Sequence, residues 1–293
     1  MELSIIIVNW NTKDLLGNCL DSIAKNTDGI SKEIFVVDNN STDGSQVFVK
    51  ENYPDVNLIK NTENLGFSKA NNIALRKAAG KYILLLNSDT VVEPLAVSLM
   101  MDFLEKHPEA GMAGPKLLNT DGTVQLACRR SIPNPKVAFY RITGLSKILP
   151  NNKEFAKYNL TFKSTEELQE VEAISGACMM IKKKAMDEIG LLDEDFFMYG
   201  EDLDWCYRLG KKGWKIYYIP NARVIHRHRA SSKKRRFKSI WNFYQAMYIF
   251  YKKHFSNKKN FIMNFFVIIG IGLFASFSII LNIFKGFGGE SSK

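Results

Sequence analysis

Glu201, Asp202 and Asp204 place three carboxylates within four positions, directly after Phe196-Phe197-Met198-Tyr199-Gly200. Gly200 allows a sharp turn, and a helix starting there would aim the positive end of its dipole at these side chains. That favours the ionised form, which a general base needs at neutral pH. Acidic residues also cap helices with no chemistry attached, so this run alone leaves both readings open. Asp38 follows the apolar run 33–37 and opens Asp38-Asn39-Asn40-Ser41-Thr42-Asp43-Gly44. Its carboxylate could accept a hydrogen bond from a nucleobase or ribose, although every residue type in that stretch is an ordinary turn former. Asp89 closes Leu86-Asn87-Ser88-Asp89 in the same way. Carboxylate oxygens suit a hard cation, Mg²⁺ or Mn²⁺, bridging to phosphates. His226 ends the strand candidate 222–225. A lone histidine there is more often structural than a ligand, and it gains weight only because a metal held by one carboxylate needs further ligands.

Residues so far apart meet only if the elements before them end at a common edge. Up to about Ala113, short β-branched runs alternate with helical spacing, which predicts an α/β fold with a mostly parallel sheet. Strands are expected at 4–8, 33–37 and 82–86, with ligands beyond their carboxyl ends. Thr12 is placed to cap a helix carrying Leu15, Leu16, Cys19, Leu20 and Ile23. Ser68 is placed to cap one carrying Ala70, Ile73, Ala74 and Ala78, with Gly80 as its stop. Pro94 suits the first position of a third, which presents Leu99, Met100, Phe103 and Leu104 before His107-Pro108 ends it. Asp121-Gly122 marks a turn between 116–118 and 123–127. From 130 to 170 the periodicity is mixed and little regular structure is expected. A strand at 177–181, helices at 183–189 and 202–209, and strands at 215–219 and 222–225 follow.

Forty Lys and Arg against 30 Asp and Glu give the 293 residues a formal charge of +10, which suits an anionic partner. The 46% hydrophobic and 24% charged composition is that of an ordered protein. Cys19, Cys128, Cys178 and Cys206 are scattered, which excludes paired zinc or dithiol spacing and reads as small buried hydrophobes. The apolar start 4–10 meets polar residues within one strand length, unlike a signal peptide, so the catalytic part is expected in the cytosol. The last quarter differs. Residues 227–238 are densely basic, and the segment after them sets Phe237, Ile240, Trp241, Tyr244, Tyr248, Tyr251 and Phe255 on one stripe. This suits a helix on an anionic membrane surface; periodicity alone also allows a core-packing helix. From 261 to 284 no charge occurs, and as a helix this run would span about 36 Å, enough for a ~30 Å hydrocarbon layer. A buried soluble helix is the competing reading, since Asn264 and Asn282 dilute the run. Lys252, Lys253, Lys258 and Lys259 precede it, whereas Lys285, Glu290 and Lys293 follow, so a single-pass anchor in the cytoplasmic membrane would leave the large domain on the cytoplasmic side. The expected division is an α/β domain over 1–230, a basic interfacial helix over 231–256, a transmembrane helix over 257–285 and a tail over 286–293. Anionic headgroups account for the basic run, and no nucleic-acid partner is expected.

Taken in order, Ile5-Ile6-Ile7-Val8-Asn9-Trp10-Asn11, Val37 to Ser45, Asn64-Leu65-Gly66-Phe67, Leu86-Asn87-Ser88-Asp89, Ser175-Gly176-Ala177 and Tyr199 to Trp205 resemble the family 2 glycosyltransferases of the GT-A fold. Within that family the chain is most similar to the rhamnosyltransferase-like branch of bacterial surface polysaccharide synthesis. Each piece is weak alone; the ordered combination is specific. The resemblance implies a nucleotide-diphosphate sugar donor and Mg²⁺ or Mn²⁺ as cofactor. It implies that Asp38 reads the pyrimidine, with Asn9, Asn40 and Ser88 also on the nucleotide-sugar, and that Asn64, Gly66, Phe67 and Asn71 wall the donor pocket. Asn87-Ser88-Asp89 stands where the family places Asp-x-Asp; with Asn87 in the first position, Asp89 becomes the principal metal ligand and His226 completes the site. Asp202 matches the catalytic base, with Glu201 as the second candidate. Trp205 and Arg208 would lie near the acceptor, and Arg129 and Arg130 are acceptor-side cations placed, by charge and position, to reach a diphosphate.

The implied reaction is inverting transfer to a hydroxyl of a lipid-linked or polysaccharide acceptor, Asp202 taking the proton; no second nucleophile pair suits a retaining double displacement. Rhamnose from dTDP-rhamnose is the implied donor, and a UDP-hexose or galactofuranose donor would leave much the same motifs. A nucleotidyltransferase shares such a sheet, but Trp10-Asn11-Thr12 occupies the place of its glycine-rich basic loop. A non-catalytic, membrane-tethered glycan-binding subunit is the reading of another class, and the joint presence of Asp38, Asp89, Asp202 and His226 speaks against it.

Overall fold

The computed structural model describes residues 1–227, 236–257 and 260–287. The first half alternates strands and helices: β1 (Leu3–Asn9), α1 (Lys13–Asn26), β2 (Lys32–Asp38), α2 (Ser45–Asn52), β3 (Asn57–Lys60), α3 (Gly66–Leu75) and β4 (Tyr82–Asn87). These four strands are parallel in the order β3-β2-β1-β4. Ile5, Ile6 and Ile7 and Ile83, Leu84 and Leu85 are fully buried. Both faces of the sheet are therefore covered, which explains why these strands read as continuous apolar runs. Each such side chain contributes about 1.5–3 kcal/mol of burial.

The chain continues through β5 (Thr90–Val92), α4 (Ala96–Lys106), β6 (Ala110–Leu118), the short β7 (Arg129–Arg130), α5 (Pro135–Ile142), α6 (Leu145–Ile148), β8 (Gln169–Val171), β9 (Ala173–Ile174), β10 (Cys178–Lys182), α7 (Lys183–Ile189), α8 (Glu201–Lys211) and β11 (Lys215–His226). Among the described residues the sheet has nine strands, extended as β4-β10-β6-β11-β5 with β8 also on β11. β10 is antiparallel to both β4 and β6, and β11 is parallel to β6. Two reversals return β6 and β11 to the direction of β4, so His226 ends at the edge where β1, β2 and β4 also end. The antiparallel register of β5 on β11 sets Thr90 opposite His226.

Several local expectations are corrected. Thr12 precedes α1 but makes no cap bond; its hydroxyl serves Asn9 and Ser88 instead. Ser68 lies within α3, which starts at Gly66 and stops at Leu75 rather than Gly80. Helix α4 begins at Ala96, two residues beyond Pro94. Of 123–127 only Val124 bridges back, to Leu118, and Leu126–Cys128 is a 3₁₀ turn. The strands expected at 215–219 and 222–225 are one, with a register shift between Ile219 and Arg223. All four cysteines are free and buried. Burial pushes Cys19 up to about 12, so its thiol stays neutral.

Helix α9 (Arg236–His254) packs Ala246 and Phe250 into the core, and α10 (Phe261–Phe287) leans on α9 through Tyr244–Ser278 at 2.7 Å and Tyr251–Asn264 at 2.8 Å. The stripe expected on the membrane is thus divided. Tyr244 and Tyr251 serve α10 and Phe255 packs on the core, while Phe237 and Trp241 stay exposed. The apolar stretch Phe261–Asn282 is 22 residues long and none of it is buried in the fold, unlike a soluble core helix. At 1.5 Å per residue it reaches about 33 Å, the thickness of a hydrocarbon layer. Residues 228–235, Lys258, Lys259 and those from 288 on, which carry part of the charge argument, lie outside the described residues.

Candidate active site

Helix α8 begins after Gly200, whose left-handed backbone (φ 85°) makes the turn that presents Glu201 and Asp202. Asp202 Oδ2 accepts from the Gly176 amide at 3.0 Å and from Arg130 Nη2 at 2.5 Å; Oδ1 accepts from the Leu203 amide at 2.8 Å. A Cβ at position 176 would stand 3.3 Å from that of Asp202, so glycine there admits the close approach. Arg130 also donates to the Ile174 carbonyl at 2.6 Å. Burial disfavours its charge, but the Asp202 carboxylate outweighs burial and holds the guanidinium protonated. Glu201 is buried with Oε2 unpartnered. Burial, and then the charge of Asp202, push its carboxyl up to about 8.

At the end of β4, Asp89 Oδ1 lies 3.3 Å and Asn87 Nδ2 3.4 Å from His226 Nε2. On the other side of the ring, Nδ1 lies 2.9 Å from Gln125 Oε1. The Gln125 amide nitrogen donates to Asn119 Oδ1 and to the His226 carbonyl, so its oxygen is the acceptor and Nδ1 must carry a proton. In a neutral ring this leaves the lone pair on Nε2, the nitrogen nearest Asp89, the arrangement by which an outer partner prepares a histidine for a metal. A carboxylate and an imidazole suit Mg²⁺ or Mn²⁺ when phosphate oxygens complete the coordination. Among the described residues no three His, Cys, Asp or Glu side chains cluster.

The end of β2 is tied to that of β4 through side chains. Asp38 is fully buried and accepts from Asn9 Nδ2 at 2.8 Å, the Ser41 amide at 2.9 Å and Gln46 Nε2 at 2.7 Å. A nucleobase reaching Asp38 would have to replace one of these donors, and Gln46 is the only long side chain among them on a helix. Asn9 Oδ1 accepts from Thr12, whose hydroxyl is 2.8 Å from that of Ser88. Asn87 donates its amide to the Ala177 carbonyl, next to Gly176. One hydrogen-bonded path therefore runs Asp38, Asn9, Thr12, Ser88, then Asn87 to the 176–177 turn and Asp202. Asn40 adopts a left-handed backbone (φ 60°) in the loop that Asp38 holds. Asn64 accepts from the Gly66 amide at 3.0 Å, and Asn71 donates to the Phe67 carbonyl at 2.9 Å. The Phe67 amide donates to Phe197 at 2.7 Å, joining this loop to the segment before Glu201.

Four residues expected on the acceptor side are engaged within the fold. Trp205 is fully buried, its indole donating to the Gly190 carbonyl, so it packs in the core. Arg208 spends its guanidinium on Asp204 and the carbonyls of Ile189 and Leu191, fastening α8 to the turn before it. Arg129 is buried on Gln169 and the Lys163 carbonyl. Arg130 stands beside Asp202 as its partner rather than as a cation open to a diphosphate. Gln125 and Gln46 were not singled out by sequence, Thr12 was named only as a helix cap and Gly176 only within the Ser175-Gly176-Ala177 motif; a partner 101 positions away, as Gln125 is from His226, leaves no local pattern to find it.

The sequence model described as glycosyltransferase like family 2 matches residues 2–244. An N-acetylglucosaminyl-diphospho-decaprenol L-rhamnosyltransferase of Mycobacterium tuberculosis is 29% identical over 244 residues, 80% of this chain and 78% of that protein. A low-salt glycan biosynthesis hexosyltransferase of Haloferax volcanii is 28% identical over 229 residues, 77% of this chain and 67% of that one. Among solved structures, a mannosyltransferase of Pyrobaculum calidifontis in complex with GDP-Man and Mn²⁺ superposes with a TM-score of 0.58 at 15% identity, covering 100% of this chain and 76% of the other. This last likeness is one of fold, the GT-A fold.

Proposed function

The chain belongs to glycosyltransferase family 2, and from that premise we propose that it moves a sugar, with inversion, from a nucleotide diphosphate onto a hydroxyl of a lipid-linked surface glycan. It is a nucleotide-sugar glycosyltransferase; donor, acceptor and stereochemistry are the inference. The observation that carries it is the path joining Asp38, Ser88, Asn87 and Asp202 along one sheet edge, with His226 turned towards Asp89.

In this reading Asp38 and Asn9 with the loop at Asn40, the 64–67 loop and Asn71, and Asn87-Ser88-Asp89 bind the nucleotide-sugar. Asp89 and His226 would hold Mg²⁺ or Mn²⁺, which when bound supplies positive charge to the departing diphosphate. Asp202, fastened by Arg130 and the Gly176 amide, takes the proton of the acceptor hydroxyl as that oxygen attacks the anomeric carbon. Glu201, kept protonated by burial, suits the base role less well. The sugar is rhamnose from dTDP-rhamnose, a reading supported by the name of the mycobacterial relative, as is a prenyl-diphosphate-linked acceptor. The unburied α10 supports a single-pass anchor, and the lysines that precede it favour the cytoplasmic side for the α/β domain.

The test is nucleoside diphosphate release by the purified full chain with Mg²⁺ or Mn²⁺, across dTDP-rhamnose, UDP-hexoses and UDP-galactofuranose, with and without a prenyl-diphosphate-linked N-acetylglucosamine. Acceptor-stimulated release from dTDP-rhamnose, lost in Asp202→Asn, is expected. Release by Asp202→Asn at the parent rate would remove the base assignment.

A further inference from the structure

The segment between β7 and β9 leaves and re-enters the fold through one paired base, Arg129 opposite Ile174 and Arg130 opposite Ala173. Within it α5 and α6 form a small helical hairpin around Gly144, and α6 contributes no buried residue to the fold. Its apolar side chains are turned out: Ile148 is 72% and Leu149 41% exposed, with Phe139 on the preceding helix at 53%. Single exposed apolar residues are ordinary, but three on one hairpin, two of them adjacent at its tip, are a surface with work to do.

Charge says what kind of surface. The outer part of the segment, Asn134 to Lys163, has six basic side chains and a single acidic one, Glu154, which is engaged by Lys136 at 2.6 Å, while the other carboxylates, Glu166, Glu167, Glu170 and Glu172, stand towards its base. Lys147 and Lys153 bracket the exposed tip, both on the outside. Apolar tips set among lysines suit an interface where hydrocarbon lies just beneath anionic headgroups, whereas a protein partner gives no such reason for one sign of charge. Position agrees. The base of the segment reaches Asp202 through Arg130, and α9, which leads to the unburied α10, sets Ala246 against the same turn, where a Cβ on Gly200 would come within 3.2 Å of it.

We propose that the tip of the 131–172 segment, Ile148 and Leu149 flanked by Lys147 and Lys153, is a second bilayer contact of this protein, docking on an anionic membrane surface beside the anchor. The inference rests on the proposed membrane anchorage through α10. The base of the segment, through Arg130, and α9, through Ala246, both meet the start of α8, so two such contacts would hold the acceptor side of Asp202 close to the headgroups, where a lipid-linked hydroxyl arrives.

The experiment places an environment-sensitive fluorophore on single introduced cysteines in the full chain, reconstituted in vesicles of phosphatidylglycerol and phosphatidylethanolamine. The sites are Ile148→Cys at the tip, Phe277→Cys in α10 and Val47→Cys on exposed α2. Lipid-borne doxyl groups are expected to quench the probes at 148 and 277 and to leave 47 unchanged. The quenching at 148 should fall by half or more in the Lys147→Glu, Lys153→Glu background or in phosphatidylcholine vesicles. Quenching at 277 without quenching at 148 overturns the second contact and leaves the anchor standing; no quenching at either overturns both. A probe at 148 that is shielded from water yet untouched by lipid quencher would assign the tip to a second copy of the chain, and the proposal fails.

Discussion

Asp202 is held on one oxygen by a buried cation and a backbone amide, and the cation is the replaceable half of that arrangement. Removing one partner of a buried pair leaves the other charge uncompensated, typically at about 3–5 kcal/mol. Arg130→Met should therefore lower the unfolding midpoint as well as turnover, while Arg130→Lys, keeping the charge without the second bond to Ile174, should recover part of both in thermal melts and release assays. Glu201 behaves oppositely. Its carboxyl lies above the ordinary range, so folding retains a proton that the unfolded chain releases. The contribution is complete below about 4.5 and is lost as pH rises through about 8, making this group a growing liability across that window. Glu201→Gln should flatten the fall in stability between those limits and match or exceed the parent at pH 8, measured by denaturant unfolding at several pH values. At His226 the tautomer depends on Gln125. Outer partners of this kind are worth about 10–100-fold in metal affinity. Gln125→Leu is expected to weaken Mn²⁺ dependence by that factor with thymidine diphosphate bound, read by metal titration; an unchanged titration would detach Gln125 from the metal site.

At the scale of elements, the parallel half of the sheet was readable because strands buried on both faces announce themselves as apolar runs. β3 was not, since its four residues are half-exposed at the sheet edge and carry too little pattern. Pro220-Asn221 made β11 look like two strands, although pairing with β6 resumes beyond a register shift. The carboxylates at 38, 89 and 202 stand out as charged residues after apolar runs; Gln125 and Gln46 do not, being ordinary residues until the fold brings them to His226 and Asp38. Trp205, an aromatic beside the candidate acids, looks available in the sequence, whereas its position on α8 faces the core. The loop at Gly66 shows what geometry adds. Its φ is +81°, and a Cβ there would lie 2.4 Å from the Phe197 carbonyl oxygen. The left-handed backbone alone costs a non-glycine residue about 1–2 kcal/mol. The clash must in addition push the donor-side loop off the segment preceding Glu201. Gly66→Ala is expected to lose stability by more than that backbone cost and to raise KM for the donor, checked by melting and steady-state kinetics; a variant with parent-like KM would mean that the two loops are not coupled.

For the whole molecule, the proposed membrane association divides between α10 and the body. Helix α9 is locked to the α/β domain by His254 on Asp204 of α8 at 2.7 Å, by Lys253 on Asp193 and Asp195 in the segment before α8, and by Phe250 in the core. It therefore belongs mechanically to the α/β domain and cannot travel with α10 as a separate anchor. The two modes of attachment differ in kind. Burial of an apolar helix in hydrocarbon is insensitive to salt, whereas basic and aromatic surfaces at the headgroups weaken as the Debye length shrinks from about 10 Å at 0.1 M salt to about 3 Å at 1 M. A chain ended after Asn257 should keep its fold, since α10 contributes nothing buried to the core, and should bind anionic vesicles in low salt but leave them in high salt. The full chain should stay with the vesicles under both conditions in a sedimentation assay. If the shortened chain remained bound at 1 M salt, the body itself would insert deeply; if it failed to bind in low salt, the basic and aromatic surfaces would have no membrane role, and α10 would be the whole attachment.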